Sequence, residues 1–83
     1  MRKIRLRITQ RDIDNGRRMS VGFCPIALSL KRRGFHEAGV GGNIWFPAPS
    51  RECFPLSVQA MNFVDDFDNR LKVKPLWLTL EYR

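Results

Sequence analysis

The sequence predicts a small α+β domain ordered β-α-β-β-α-β, with two helices packed on one face of an antiparallel or mixed sheet. Three observations predict it. Polar and apolar residues alternate at both ends of the chain, a proline-led apolar segment begins at residue 25, and an apolar stripe at helical spacing runs from residue 56 to 71.

The first element is Lys3-Ile4-Arg5-Leu6-Arg7-Ile8, whose period of two turns Ile4, Leu6 and Ile8 to one sheet face and Lys3, Arg5 and Arg7 to the other. Gln10 to Gly22 shows no periodicity and reads as a basic loop with a turn at Asp14-Asn15-Gly16. A helix is predicted from about Pro25 to Arg33. Pro25 suits its first position, Cys24 lies at or beside the N-cap, and Gly34 is placed to end it in a left-handed conformation. Ile26, Ala27 and Leu30 form its core stripe, and Lys31, Arg32 and Arg33 fall where cations favour the helix dipole.

Residues 43–54 read as a hairpin. Val40-Gly41-Gly42-Asn43-Ile44-Trp45-Phe46 is a flexible turn entering a strand, Pro47-Ala48-Pro49-Ser50 a tight connection, and Arg51-Glu52-Cys53-Phe54 a return strand. The prolines place it near a sheet edge. The second helix follows Pro55, with Ser57 as N-cap and Leu56 poised to staple against Met61. Leu56, Ala60, Phe63, Val64, Phe67 and Leu71 make its apolar stripe, and Asp65, Asp66 and Asp68 its solvated face. The last strand, Leu76 to Tyr82, turns Leu76, Leu78, Leu80 and Tyr82 inward and Trp77, Thr79 and Glu81 outward. This order matches the split βαβ arrangement of ferredoxin-like domains, and another α+β sandwich with the same elements fits it equally.

Eighty-three residues make one domain, residues 1–83, burying roughly 60–65% of the unfolded surface. No stretch approaches the ~20 apolar residues of a membrane span, and Met1-Arg2-Lys3 leads into alternation rather than a signal-peptide core. A soluble cytoplasmic protein with no membrane partner is expected. Cys24 and Cys53 lie far apart with only His36 to join them, which is too few ligands for structural zinc. Both cysteines read as small buried hydrophobes, and no cofactor is expected.

Enzymatic signatures are weak. His36 sits in a loop without a local nucleophile signature, and Gly39-Val40-Gly41-Gly42-Asn43 precedes a strand, whereas a phosphate-cradling loop opens a helix. Charge is the stronger signal. Residues 1–36 hold ten Lys/Arg against Asp12 and Asp14, a net of +8, while residues 37–83 carry −1, giving +7 in all. Such a field attracts nucleic acid or an acidic protein surface. Arg5 and Arg7 with Trp77 and Thr79 would form a basic, aromatic sheet face if the first and last strands are neighbours, in the manner of single-strand binders. Ordinary cross-strand pairs with Glu81 are the plain alternative. Arg17, Arg18, Lys31, Arg32 and Arg33 would extend the patch; Trp45, in a hairpin, reads as core, and if exposed it would instead anchor a protein partner.

Asp12-Ile13-Asp14-Asn15-Gly16, then Cys24-Pro25-Ile26-Ala27-Leu28, then Asn62-Phe63-Val64-Asp65-Asp66-Phe67-Asp68 resemble a group of small phage and prophage proteins. Those open with an amphipathic strand, continue as Asp-Ile-x-x-Gly and Cys-Pro-Ile-Ala-Leu, and close with a Phe-Val-x-x-Phe-Asp helix and an alternating strand. This chain is more basic than that pattern around Arg17-Arg18 and Lys31-Arg33. The resemblance implies a phage origin and a fold, with no activity attached. The expectation is a non-enzymatic protein that occupies the surface of a host protein or ribonucleoprotein complex, such as an anti-CRISPR inhibitor. A DNA- or RNA-binding accessory protein is the second expectation, and a sponge for nucleotide signals the third.

Overall fold

A computed structural model describes residues 2–49 and 52–82. The elements are β1 (Arg2–Ile8), α1 (Gln10–Asn15), α2 (Pro25–Arg32), β2 (Gly39–Gly41), β3 (Ile44–Phe46), β4 (Phe54–Pro55), α3 (Val58–Asp68) and β5 (Leu76–Tyr82). The fold is α+β, with helices packed on sheet.

The alternation at the two ends of the chain is the backbone of the structure. β1 and β5 pair antiparallel with Ile4 opposite Leu80, Leu6 opposite Leu78 and Ile8 opposite Leu76, so one face is apolar from Ile4 to Ile8. That face joins Ile26, Ala27 and Leu30 of α2 and Ala60, Phe63, Val64 and Phe67 of α3 in a single core. α2 lies against β1, and α3 touches β5.

The strands fall into two antiparallel sheets rather than one: β1–β5, and β2–β3–β4. A ferredoxin-like order would seat a hairpin strand beside β1. Instead α2 closes that edge with side chains. Arg33 Nη1 donates to the Arg5 carbonyl at 2.7 Å, Arg32 Nη2 to the Arg7 carbonyl at 2.8 Å, and Ser29 Oγ to the same Arg7 oxygen at 3.3 Å. Backbone acceptors met by cations need no neighbouring strand.

Other boundaries depart from the sequence pattern for local reasons. The expected loop after Thr9 begins as α1, because Thr9 and Asp12 form a capping box: Asp12 N–H donates to Thr9 Oγ1 at 3.2 Å, and Thr9 N–H to Asp12 Oδ2 at 2.9 Å. α2 starts where Pro25 predicts, with Cys24 Sγ accepting from Ala27 N–H at 3.4 Å, and Gly34 beyond its end takes φ +105°. Gly39 to Gly41 form strand β2 rather than a flexible turn, and the reversal into β3 falls at Gly42-Asn43. Of the predicted return strand, Arg51 lies outside the described residues, and β4 covers Phe54–Pro55. α3 stops at Asp68, because Arg70 turns left-handed at φ 63°. Leu71 leaves the stripe and is exposed.

Candidate functional site

The predicted site residues separate into three groups. Lys31, Arg32 and Arg33 are largely structural. Arg32 pairs with the buried Asp12 carboxylate while bonding the Arg7 carbonyl, and Arg33 holds the Arg5 carbonyl. Lys31 Nζ donates to the carbonyls of His36 and Ala38 at 3.2 and 3.4 Å, tying the end of α2 to the entry of β2. A cation spent on backbone acceptors is less available to a ligand than its formal charge implies.

Trp45 is removed from the surface altogether. It is fully buried between Val40 and Phe54 in the register of the small sheet, with Phe35, Phe54 and Tyr82 rings 5.7–6.5 Å away. Alternation along β3 explains why the core reading of Trp45 holds and the anchor reading does not. Ile44 faces out, so Trp45 must face in, where its area closes the gap between the sheets.

The second group lies on the outer face of β1–β5. Lys3, Arg5 and Arg7 stand opposite Glu81, Thr79 and Trp77. The Arg5 guanidinium lies 5.2 Å from the Trp77 ring centroid, and Trp77 is 50% exposed. The sequence-level juxtaposition of Arg5, Arg7, Trp77 and Thr79 is therefore present.

The third group was only half visible in the sequence. Arg17 and Arg18 open a loop whose side chains Met19, Val21 and Phe23 are 80%, 50% and 52% exposed. The loop is pinned at three points. Arg17 N–H donates to the Phe23 carbonyl at 2.8 Å, Val40 N–H to the Val21 carbonyl at 2.9 Å, and Met19 N–H to Asp68 Oδ1 at 3.0 Å. That last bond holds Met19 at φ 55°, a conformation costing a non-glycine residue roughly 1 kcal/mol or more. Arg17 and Lys31 both lie over the Phe23 ring, at 5.7 and 5.3 Å from its centroid, and Arg18 lies over Phe67 at 5.4 Å. The result is a pinned loop that exposes three large apolar side chains, with Arg17 and Lys31 packed on the Phe23 ring. Its signal in the sequence was Met19, Val21 and Phe23 at alternate positions, hidden by the surrounding turn residues.

The residues weighed for catalysis fall apart. Cys24 is buried at its N-cap, and desolvation pushes its thiol pKa above the ordinary value, outweighing the backbone N–H groups that favour the thiolate. Cys53 is exposed, against the expectation of a buried hydrophobe, because it precedes β4 outside the paired segment. His36 lies exposed beyond α2. Among the described residues, no three His, Cys, Asp or Glu side chains gather to hold a metal ion, and no helix is long and apolar enough to cross a membrane.

No family model, curated protein or solved structure matches the chain.

Proposed function

We propose that this chain is a phage-encoded, non-enzymatic binding protein that inhibits a host defence complex by occupying its surface, in the manner of an anti-CRISPR protein. The observation that carries the reading is the loop of Met19, Val21 and Phe23. Three large apolar side chains half or more exposed on one pinned loop are a poor use of core-forming residues in an 83-residue domain, unless a partner covers them. Large exposed apolar side chains with the Arg17 guanidinium packed on Phe23 have the composition of a protein interface: apolar anchors with charged groups beside them. The matching partner surface is an apolar recess bordered by carboxylates.

Pinning also matters energetically. A loop already held by Asp68, Val40 and its own Arg17–Phe23 closure loses little conformational entropy on docking, which removes one of the main costs of association. The resemblance to small phage proteins supports a host complex as the target, and the excess positive charge supports a partner of opposite sign.

The test is phage plating on a bacterial strain with an active RNA-guided defence, with and without this chain expressed. Inhibition appears as restored plating that is lost in the Met19→Ser/Phe23→Ser variant. Plating that stays suppressed across the defence systems of the phage's own host range would reject the inhibitory role.

A further inference from the structure

We propose that the outer face of the β1–β5 ribbon is a second, separate site, which binds single-stranded nucleic acid by stacking a base on Trp77 and holding its phosphates with Arg5, Arg7 and Lys3. The argument begins with what closes the other surfaces of the ribbon. Its inner face is core, and the β1 edge is capped by Arg32, Arg33 and Ser29. On the outer face the three exposed cations of β1 recur every second residue, about 6.6–6.8 Å apart.

Trp77 is the unusual member of this face. A large aromatic half exposed on a short ribbon serves the core poorly, yet its ring is not loose. Arg5 packs over it at 5.2 Å, and Arg7 is its direct cross-strand neighbour. Beside the indole lies a groove of about 200 Å³ lined by Arg7, Ile8, Pro75, Leu76 and Trp77. That is below the several hundred Å³ of a pocket for a drug-sized molecule, and suits one flat ring. A groove lined by an indole and an arginine, with a second guanidinium over that indole, recognises a flat base joined to an anion, the chemistry of a nucleotide in an extended strand.

Charge complementarity favours nucleic acid over an acidic peptide. Lys3, Arg5 and Arg7 outnumber Glu81, the acid that shares the face with them. A carboxylate-rich peptide would satisfy the cations but leave the indole and the groove unused. Only a partner alternating anions with flat rings uses both. Readout here is sequence-tolerant, since every base has a π-face that the indole can stack on. The site is independent of the apolar loop, because it draws on different elements and a different chemistry.

The experiment is fluorescence anisotropy of a labelled oligothymidylate about a dozen nucleotides long, within the range of known single-strand sites. Binding is expected below ~100 µM at low salt, with a log–log salt slope near −2 for three neutralised phosphates. Trp77→Ala weakens binding roughly 5- to 150-fold, the range of a lost base stack. Arg5→Ser/Arg7→Ser flattens the slope by about 0.7 per cation removed. Phe23→Ser, in the loop, leaves binding unchanged. Three results overturn the proposal: no saturable binding by ~100 µM, binding indifferent to Trp77→Ala in a variant whose circular dichroism is native, or equal competition by duplex DNA or polyglutamate. The last two would reduce the face to undirected charge.

Discussion

Removing the Asp12 carboxylate should cost this domain about 3 kcal/mol, because that one buried group serves two elements. Asp12 is 4% exposed, with Oδ2 accepting Thr9 N–H at 2.9 Å and Oδ1 facing Arg32. Asp12→Ala deletes half of the capping box, worth roughly 1 kcal/mol. It also deletes a charge-assisted bond worth about 1.5–3 kcal/mol. The Arg32 side chain is 49% exposed and keeps the Arg7 carbonyl, so its released charge rehydrates without a burial penalty. Against a total stability of roughly 4–12 kcal/mol for a chain of this length, that is a large fraction. The drop in Tm is about 12–24 °C, followed by circular dichroism. Arg32→Met should cost at least as much, since it strands a buried carboxylate on a single N–H donor. The double variant should cost less than the two single losses added together, the signature of a shared interaction. A loss below about 1 kcal/mol for Asp12→Ala, or strict additivity, would refute the reasoning.

Four further outcomes follow from local structure. A Cβ on Gly39 overlaps the Phe46 ring and comes within 2.8 Å of Val21 Cγ1, whereas one on Gly41 meets Val21 at 3.9 Å. Gly39→Ala should therefore lose about 1–3 kcal/mol in urea unfolding, while Gly41→Ala stays within ~0.5 kcal/mol of the parent. A maleimide should label Cys53 at once and Cys24 only on unfolding, one equivalent native and two denatured, as mass spectrometry reads directly. The Cys24 thiol pKa is raised in the fold, so its contribution is complete below the ordinary thiol value near ~8.5. It is lost as pH rises through the higher folded value, and Cys24→Ser should abolish that alkaline loss of Tm. Met19→Gly relieves a positive φ but loses the anchor, so stability should stay within about 1 kcal/mol of the parent while partner binding falls.

Much of this architecture was legible because it rests on periodicity. Ile4, Leu6 and Ile8 against Leu76, Leu78 and Leu80 announce a two-faced ribbon, and Ser57 with Ala60, Phe63, Val64 and Phe67 announces α3. The Cys24-Pro25 start of α2 followed from cap chemistry alone. What escaped depended on contacts distant in sequence. α1 is one and a half turns held by the Thr9–Asp12 box and the Arg32 pair, too short for any period to show. Gly39 looked like part of a turn, because only the fold brings Val21 and Phe46 over it. Lys31, Arg32 and Arg33 resembled a free cationic patch until the carbonyls they hold came into view. The burial of Trp45 and the exposure of Phe23 stayed unmarked for a related reason: burial depends on which side of a strand or loop faces the core, and short irregular segments leave that side unspecified.

The most direct measurement is quantitative affinity capture of the tagged chain from nuclease-treated bacterial extract, comparing the parent with Phe23→Ser. About half of the Phe23 surface remains for a partner to cover, roughly 100 Å². That corresponds to about 2.5 kcal/mol, or some 60-fold in affinity. The account predicts one discrete protein partner that survives nuclease and is depleted in the Phe23→Ser sample, while both chains melt at similar temperatures. A partner retained equally by both chains, or recovered only with intact nucleic acid, would contradict the assignment of the loop as the binding surface.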